Sequence, residues 1–195
     1  DLLYLFKILI RRIWIIIVIP LIAGAIAFFI TYNSDYTFKS TAQLSTSLTT
    51  KDDISLQDER FNFREVEIKF NNLMESLTSD QVVYLVSYRL LLHDLDSADS
   101  FKDVPVEERT SELWDSPERL LKAKSIIRTK LNNMEVLLNM NPEEKQLIKL
   151  LEDYGYDHGT LKESLNVRRI DYTDYILISA VSEKRLLSAY IVNTL

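Results

Sequence analysis

Residues 13–30 read I-W-I-I-I-V-I-P-L-I-A-G-A-I-A-F-F-I, eighteen positions without a charge. As a helix rising about 1.5 Å per residue the run is roughly 27 Å long, close to the ~30 Å of a bilayer's hydrocarbon core. No other part of the chain is apolar over such a length, and the residues beyond it are polar enough to fold in water. The expectation is a transmembrane helix over 13–32 carrying an extracytoplasmic domain. Lys7, Arg11 and Arg12 crowd its N-terminal side, whereas Thr31 to Asp35 hold no base. Residues 1–12 should therefore form a cytoplasmic juxtamembrane segment and 33–195 should lie outside. Trp14 and Tyr32 stand where amphipathic rings favour the interface. Pro20 would free a mid-span carbonyl, and Ala23, Gly24 and Ala27 offer a small-residue face for close helix approach. A cleaved signal peptide is the rival reading, since Ala23-Gly24-Ala25 imitates a cleavage site. Against it, Ile26 to Ile30 continue the apolar run past that point.

The net charge is −6, and the residues beyond Arg12 hold 28 acids against 20 bases. Such an acidic body argues against nucleic acid or an anionic lipid surface as its main partner. The absence of cysteine excludes disulfides and thiolate metal sites. With three glycines in all, no phosphate-cradling G-x-x-x-x-G-K-S/T loop exists, and no cofactor is expected.

Beyond the apolar run the pattern alternates. Tyr36, Phe38, Ala42 and Leu44 face one way, and Thr37, Lys39, Thr41, Gln43 and Ser45 the other, which predicts a half-buried strand over Tyr36–Thr46. From Asp58 the period becomes helical, with Phe63, Val66, Phe70, Leu73 and Leu77 as one stripe. Thr78-Ser79-Asp80 supplies caps for a buried helix over Gln81–Leu95, followed by an acidic loop to Val106. Ser116-Pro117 opens a helix predicted to reach about Asn139, with Leu138 on its apolar stripe. Asn141-Pro142 opens another that Gly155 stops. Thr160 with Glu163 starts a single turn through Leu165. Asn166–Ile170 predicts a short strand, and Asp174–Val181, apolar on both faces, a central one. Ser182 then caps a closing helix, which the sequence leaves mid-helix, as in a truncated piece of a longer protein. The fold class is α+β: a small mixed sheet near the membrane, with a helical insert at about 58–165.

Two segments resemble one family. The apolar helix followed by Tyr36, Ser40, Ala42 and Leu44 is similar to the first transmembrane helix and strand of the Wzz-type chain-length determinants, the bacterial polysaccharide co-polymerases. Asp174, Ile176, Ile178 and Ser182, then Ala189 and Asn193, resemble that family's second signature. Phe70-Asn-Asn-Leu and Ser87-Tyr-Arg-Leu look like its exopolysaccharide-export branch. Glu183-Lys184 departs from the Asp/Asn-Pro usual after the serine, and a helical arm, proline-rich stretch and second span are missing. The resemblance implies an inner-membrane scaffold, without bond chemistry, that self-associates as a ring. It would work beside a polysaccharide polymerase and lipid-linked polysaccharide, regulate product length and in some branches serve an outer-membrane exporter. Larger relatives carry a tyrosine kinase, which here could exist only beyond residue 195. The alternative is an anchored extracytoplasmic sensor domain of a signalling receptor.

The side chains that could carry chemistry are few. His93, Asp94 and Asp96 are adjacent donors that point in different directions on a helix end, so no metal is assigned to them. His158 lies near Asp153 and Asp157 in what reads as a loop. Asp171 and Asp174 bracket Tyr172 in a turn, where acids bond local backbone. Arg168-Arg169 is a basic doublet suited to a solvated strand edge, an acidic sugar or a neighbouring subunit. No serine sits in G-x-S-x-G. No catalytic, cofactor or metal residue is assigned.

Overall fold

The computed structural model describes residues 13–32, 36–47 and 63–195. The chain divides into two compact units, Asp1–Tyr36 and Thr37–Leu195. In the first, helix α1 spans Ile13–Tyr32 as expected, with Pro20 inside and no acid or base along it. It has no polar stripe, and its large side chains stand exposed on every side, Trp14 at 79%, Phe29 at 71% and Ile30 at 69%. Phe28 stacks on Tyr32 one turn away, with ring centroids 5.7 Å apart. Among the described residues no helix is long and apolar enough to cross a membrane. The expected helix is present; its passage through a bilayer is not shown. Lys7, Arg11 and Arg12 lie outside the described residues.

The second unit is built on three strands, β1 (Phe38–Ser45), β2 (Leu165–Arg169) and β3 (Tyr175–Ser182), in the order β1-β3-β2. The alternating strand and the apolar strand therefore do share one sheet, in register from Phe38↔Ser182 to Ser45↔Tyr175. The sheet expected to be mixed is antiparallel at both pairings. The turn around Tyr172 (φ 60°) sends β3 back along β2, and the helices between β1 and β2 return the chain so that β1 also runs against β3. β3 is central as expected, but only Ile176, Ile178 and Ala180 on one face enter the core; Tyr175 and Val181 on the other are exposed. Fully burying one such isoleucine stabilises the fold by about 1.5–3 kcal/mol.

Helix α7 (Arg185–Thr194) covers that buried face with Leu187, Ile191 and Val192. It starts two residues later than expected, with Lys184 in the cap position. Ser182 does not cap it: its hydroxyl donates to the Lys184 carbonyl at 2.7 Å, and no side chain caps the helix.

The intervening helices are α2 (Phe63–Leu77), α3 (Asp80–Asp96), α4 (Pro117–Asn133), α5 (Pro142–Asp153) and α6 (His158–Ser164). Their starts follow the sequence signals. Ser79, Ser116 and Asn141 each cap a helix by accepting a backbone N–H in the first turn. The stripe of α2 holds, with Phe70 buried and Val66 and Leu73 packed against the core; residues 58–62 lie outside the described ones. Helix α4 stops at Asn133, well short of Asn139. Met134 takes a left-handed φ of 55°, and the chain then extends so that the Leu137 N–H reaches the Tyr88 hydroxyl at 2.9 Å. Leu137 is thus the buried residue and Leu138 is 61% exposed. Helix α6 begins two residues before Thr160, because the Asp157 carboxylate accepts the Thr160 N–H at 3.0 Å.

Candidate functional site

Two carboxylates organise the helical part, and neither faces a cleft. Asp94 accepts from the Phe101 N–H at 2.8 Å, the Lys102 N–H at 3.0 Å and the buried Tyr156 hydroxyl at 2.6 Å. It pins the loop after α3 to the residues following α5. Burial, with Asp94 beside it, pushes the Tyr156 hydroxyl well above the usual phenol range. Asp153 accepts from the Thr110 N–H and hydroxyl, the Ser111 N–H and the Trp114 Nε1–H, at 2.6–3.1 Å. Burial opposes its charge, but these donors outweigh burial and hold its pKa below the usual carboxylate value. Neither role leaves a local mark in the sequence, because the partners lie up to 62 residues away.

The adjacent donors His93, Asp94 and Asp96 do not converge. Asp96 pairs with Lys124 and, at 2.8 Å, with Arg128. Among the described residues no three His, Asp or Glu side chains are grouped to hold a metal ion. His158 is not in a loop and does not meet Asp153 or Asp157 through its side chain. It opens α6, donates from Nε2 to Asp80 at 3.0 Å and stacks on Tyr84 at 5.0 Å. Lys162 reaches the same Asp80 oxygen at 2.6 Å, and the Lys162 and His158 bonds lower the Asp80 pKa. Asp171 and Asp174 flank the exposed Tyr172 at the β2–β3 turn, where the Asp174 carbonyl accepts the Thr46 N–H at 2.9 Å.

The residues that carry the resemblance meet in the sheet and its covering helix. Ala42 pairs with Ile178, and Leu44 with Ile176. The Ser40 hydroxyl lies 2.7 Å from that of Ser188, a link between β1 and α7. Ser40 and Ala42 are half-buried, but Leu44 is 41% exposed and Phe38 38%, because α7 covers only part of this edge strand. Tyr36 and Asn193 are exposed and Ala189 is half-buried. Pro20, Ala23, Gly24 and Ala27 stand exposed on α1, and a Cβ added at Gly24 would meet nothing within 4 Å.

The other face of the sheet is turned away from the helices. It presents Lys39, Thr41 and Gln43 of β1, Tyr175, Leu177 and Val181 of β3, and Asn166 and Arg168 of β2. Arg168 and Arg169 split between the two faces. Arg168 points out, while Arg169 donates to the Thr173 carbonyl at 3.1 Å and lies over the Phe70 ring at 3.8 Å. Arg169 thereby joins the β2–β3 turn to α2. A separate cleft of about 450 Å³ lies between α4 and α5, floored by Ala123 and Leu147 and crossed by a Lys122–Glu143 pair at 2.7 Å.

These features define a mixed sheet-and-helix module whose buried carboxylates hold backbone in place. Residues 1–92 match the family model Wzz, chain length determinant protein. Over that stretch the chain is similar to the Wzz family. The match takes in α1, β1, α2 and most of α3, and stops before β2, β3 and α7, where the second group of motif residues lies. No curated protein and no solved structure matches the chain.

Proposed function

We propose that the chain is an inner-membrane scaffold that sets the length of a surface polysaccharide or aids its export. The observation that carries the reading is the antiparallel pairing of β1 with β3, Ala42 opposite Ile178. It joins the Wzz-matched N-terminal stretch to the C-terminal segment that resembles the same family. A match of this kind points to polysaccharide chain-length determination and does not favour a sensor domain.

In this reading α1 is the transmembrane helix. Its support is a twenty-residue span without acid or base, apolar side chains exposed all round, and Lys7, Arg11 and Arg12 just before it. Residues 1–12 are cytoplasmic, 33–195 periplasmic, and the sheet lies near the membrane. Pro20, Ala23, Gly24 and Ala27 pack against neighbouring anchors. Copies assemble as a ring beside a polymerase and its lipid-linked polysaccharide, and an outer-membrane exporter is a further partner. This segment performs no bond chemistry; it acts by binding and position.

Deleting the gene tests the function. Altered polymer length or surface display on a gel is expected, and an unchanged ladder overturns the proposal. Alkaline carbonate extraction tests the anchor: the full chain stays in the membrane pellet, whereas release into the supernatant overturns the span.

A further inference from the structure

Toward its C-terminal end α3 carries Arg89 and His93 four residues apart on one face, with Ser97 as its C-cap. Together with Tyr190 of α7 they border a concavity of about 370 Å³, within the size range of small-ligand sites. His93 is held in place from several sides. Its ring stacks on Phe101 with centroids 4.1 Å apart at 10° and lies 5.1 Å from the Tyr190 ring. Its Nδ1 is 3.1 Å from the Asp94 carboxylate. A carboxylate only accepts, so Nδ1 carries the proton, and Nε2 of the neutral ring is an acceptor. Asp94 is itself fixed by two backbone N–H groups and the Tyr156 hydroxyl. The buried network therefore orients the imidazole.

Two groups at the concavity lack partners among the described residues. His93 Nε2 makes no hydrogen bond, and Arg89 makes neither an ion pair nor a hydrogen bond. Asp96 on the same rim pairs with Lys124 and Arg128 and not with Arg89. Arg89 is exposed, and its guanidinium is free to hold a carboxylate with two parallel hydrogen bonds. A neighbouring acceptor nitrogen calls for a hydroxyl. A pyranose bearing both groups on one ring, an acidic sugar, meets both demands at once, and Tyr190 adds an aromatic wall.

We propose that Arg89, His93, Ser97 and Tyr190 form a binding site for a carboxylate-bearing sugar residue. The assignment rests on the polysaccharide reading above for the ligand's source and on the geometry for its charge.

The test titrates trigalacturonate, maltotriose and inorganic phosphate into the full 195-residue chain in detergent, followed by calorimetry and by the His93 imidazole NMR signals. Saturable binding of trigalacturonate that shifts those signals is expected. Arg89 is exposed, so Arg89→Gln should keep the melting profile while weakening binding about tenfold or more, as when a charged hydrogen-bond partner is removed. Arg89→Lys should recover part of the loss, since it restores charge without the planar fork. No saturable binding, unchanged affinity in Arg89→Gln, or equal binding of maltotriose or phosphate overturns the site. An unchanged polymer ladder on gene deletion would instead overturn the chain-length reading, with the titration result standing apart from it.

Discussion

Helices α1 and α3 are both rich in large apolar residues and are of similar length, yet they sit in opposite surroundings. In α3, Val83, Leu90 and Leu91 are fully buried, and the buried polar residues among them have partners. The Ser87 hydroxyl donates to the Val83 carbonyl, the Tyr88 hydroxyl accepts the Leu137 N–H, and Asp94 collects three further donors. In α1 the polar side chains are confined to the ends, Trp14, Thr31 and Tyr32, and the large apolar side chains between them are exposed. An apolar helix inside a protein is interrupted by groups that specify how it docks; one meant for lipid needs none. The two helices thus differ both in how hydrophobic they are and in what surrounds their apolar side chains.

Charge inserted in either helix should break the contrast most sharply. Leu91→Lys places an ammonium in the core and should leave residues 37–195 unfolded, read by loss of the cooperative urea transition. Ile22→Lys should spare that transition and cost membrane insertion about 2.5–3.5 kcal/mol, read as carbonate release. If Ile22→Lys unfolds the second unit as Leu91→Lys does, the distinction between the helices is wrong. Asp94→Ala strands two backbone N–H groups and the Tyr156 hydroxyl, and should destabilise by about 3–5 kcal/mol in urea. Ala42→Asp, opposite Ile178, should destabilise less, by about 1–3 kcal/mol, and Lys39→Ala by under about 0.5 kcal/mol.

Acid supplies the smallest and most specific effect. Asp153 has a lowered folded-state pKa, so its stabilisation is complete above the unfolded value of about 3.9 and is lost as pH falls through the folded one. Asp153→Asn should flatten the acid limb of a stability–pH curve below about pH 4. A limb of unchanged slope would assign the acid sensitivity to other carboxylates.

Strand pairing is legible because alternation in β1 and the apolar run in β3 are local signals, and a shared core face follows from them. Helix starts are legible through Ser79, Ser116 and Asn141 for the same reason. Features that depend on distant partners are not. The stripe that continues through Leu138 in the sequence is broken because Tyr88, 49 residues before Leu137, takes that residue's N–H. His93 and Asp94 read as a failed metal pair, since Tyr156 and Tyr190, which give them their geometry, lie far along the chain. Arg89 falls in the Ser87-Tyr-Arg-Leu stretch of the resemblance, but nothing local there shows that it is left without a partner while Asp96 pairs with Lys124 and Arg128.

The linked hydroxyls of Ser40 and Ser188 lie 148 residues apart. Translation at ~5–20 residues per second needs roughly 7–30 s to cover that distance. For that interval the nascent first strand has no mate, and its edge is open to neighbouring copies on the same polysome. Lys39, Thr41 and Gln43 along one side make it a poor template for such mispairing. Their worth is therefore greatest before the native sheet exists, during biogenesis rather than in the finished molecule.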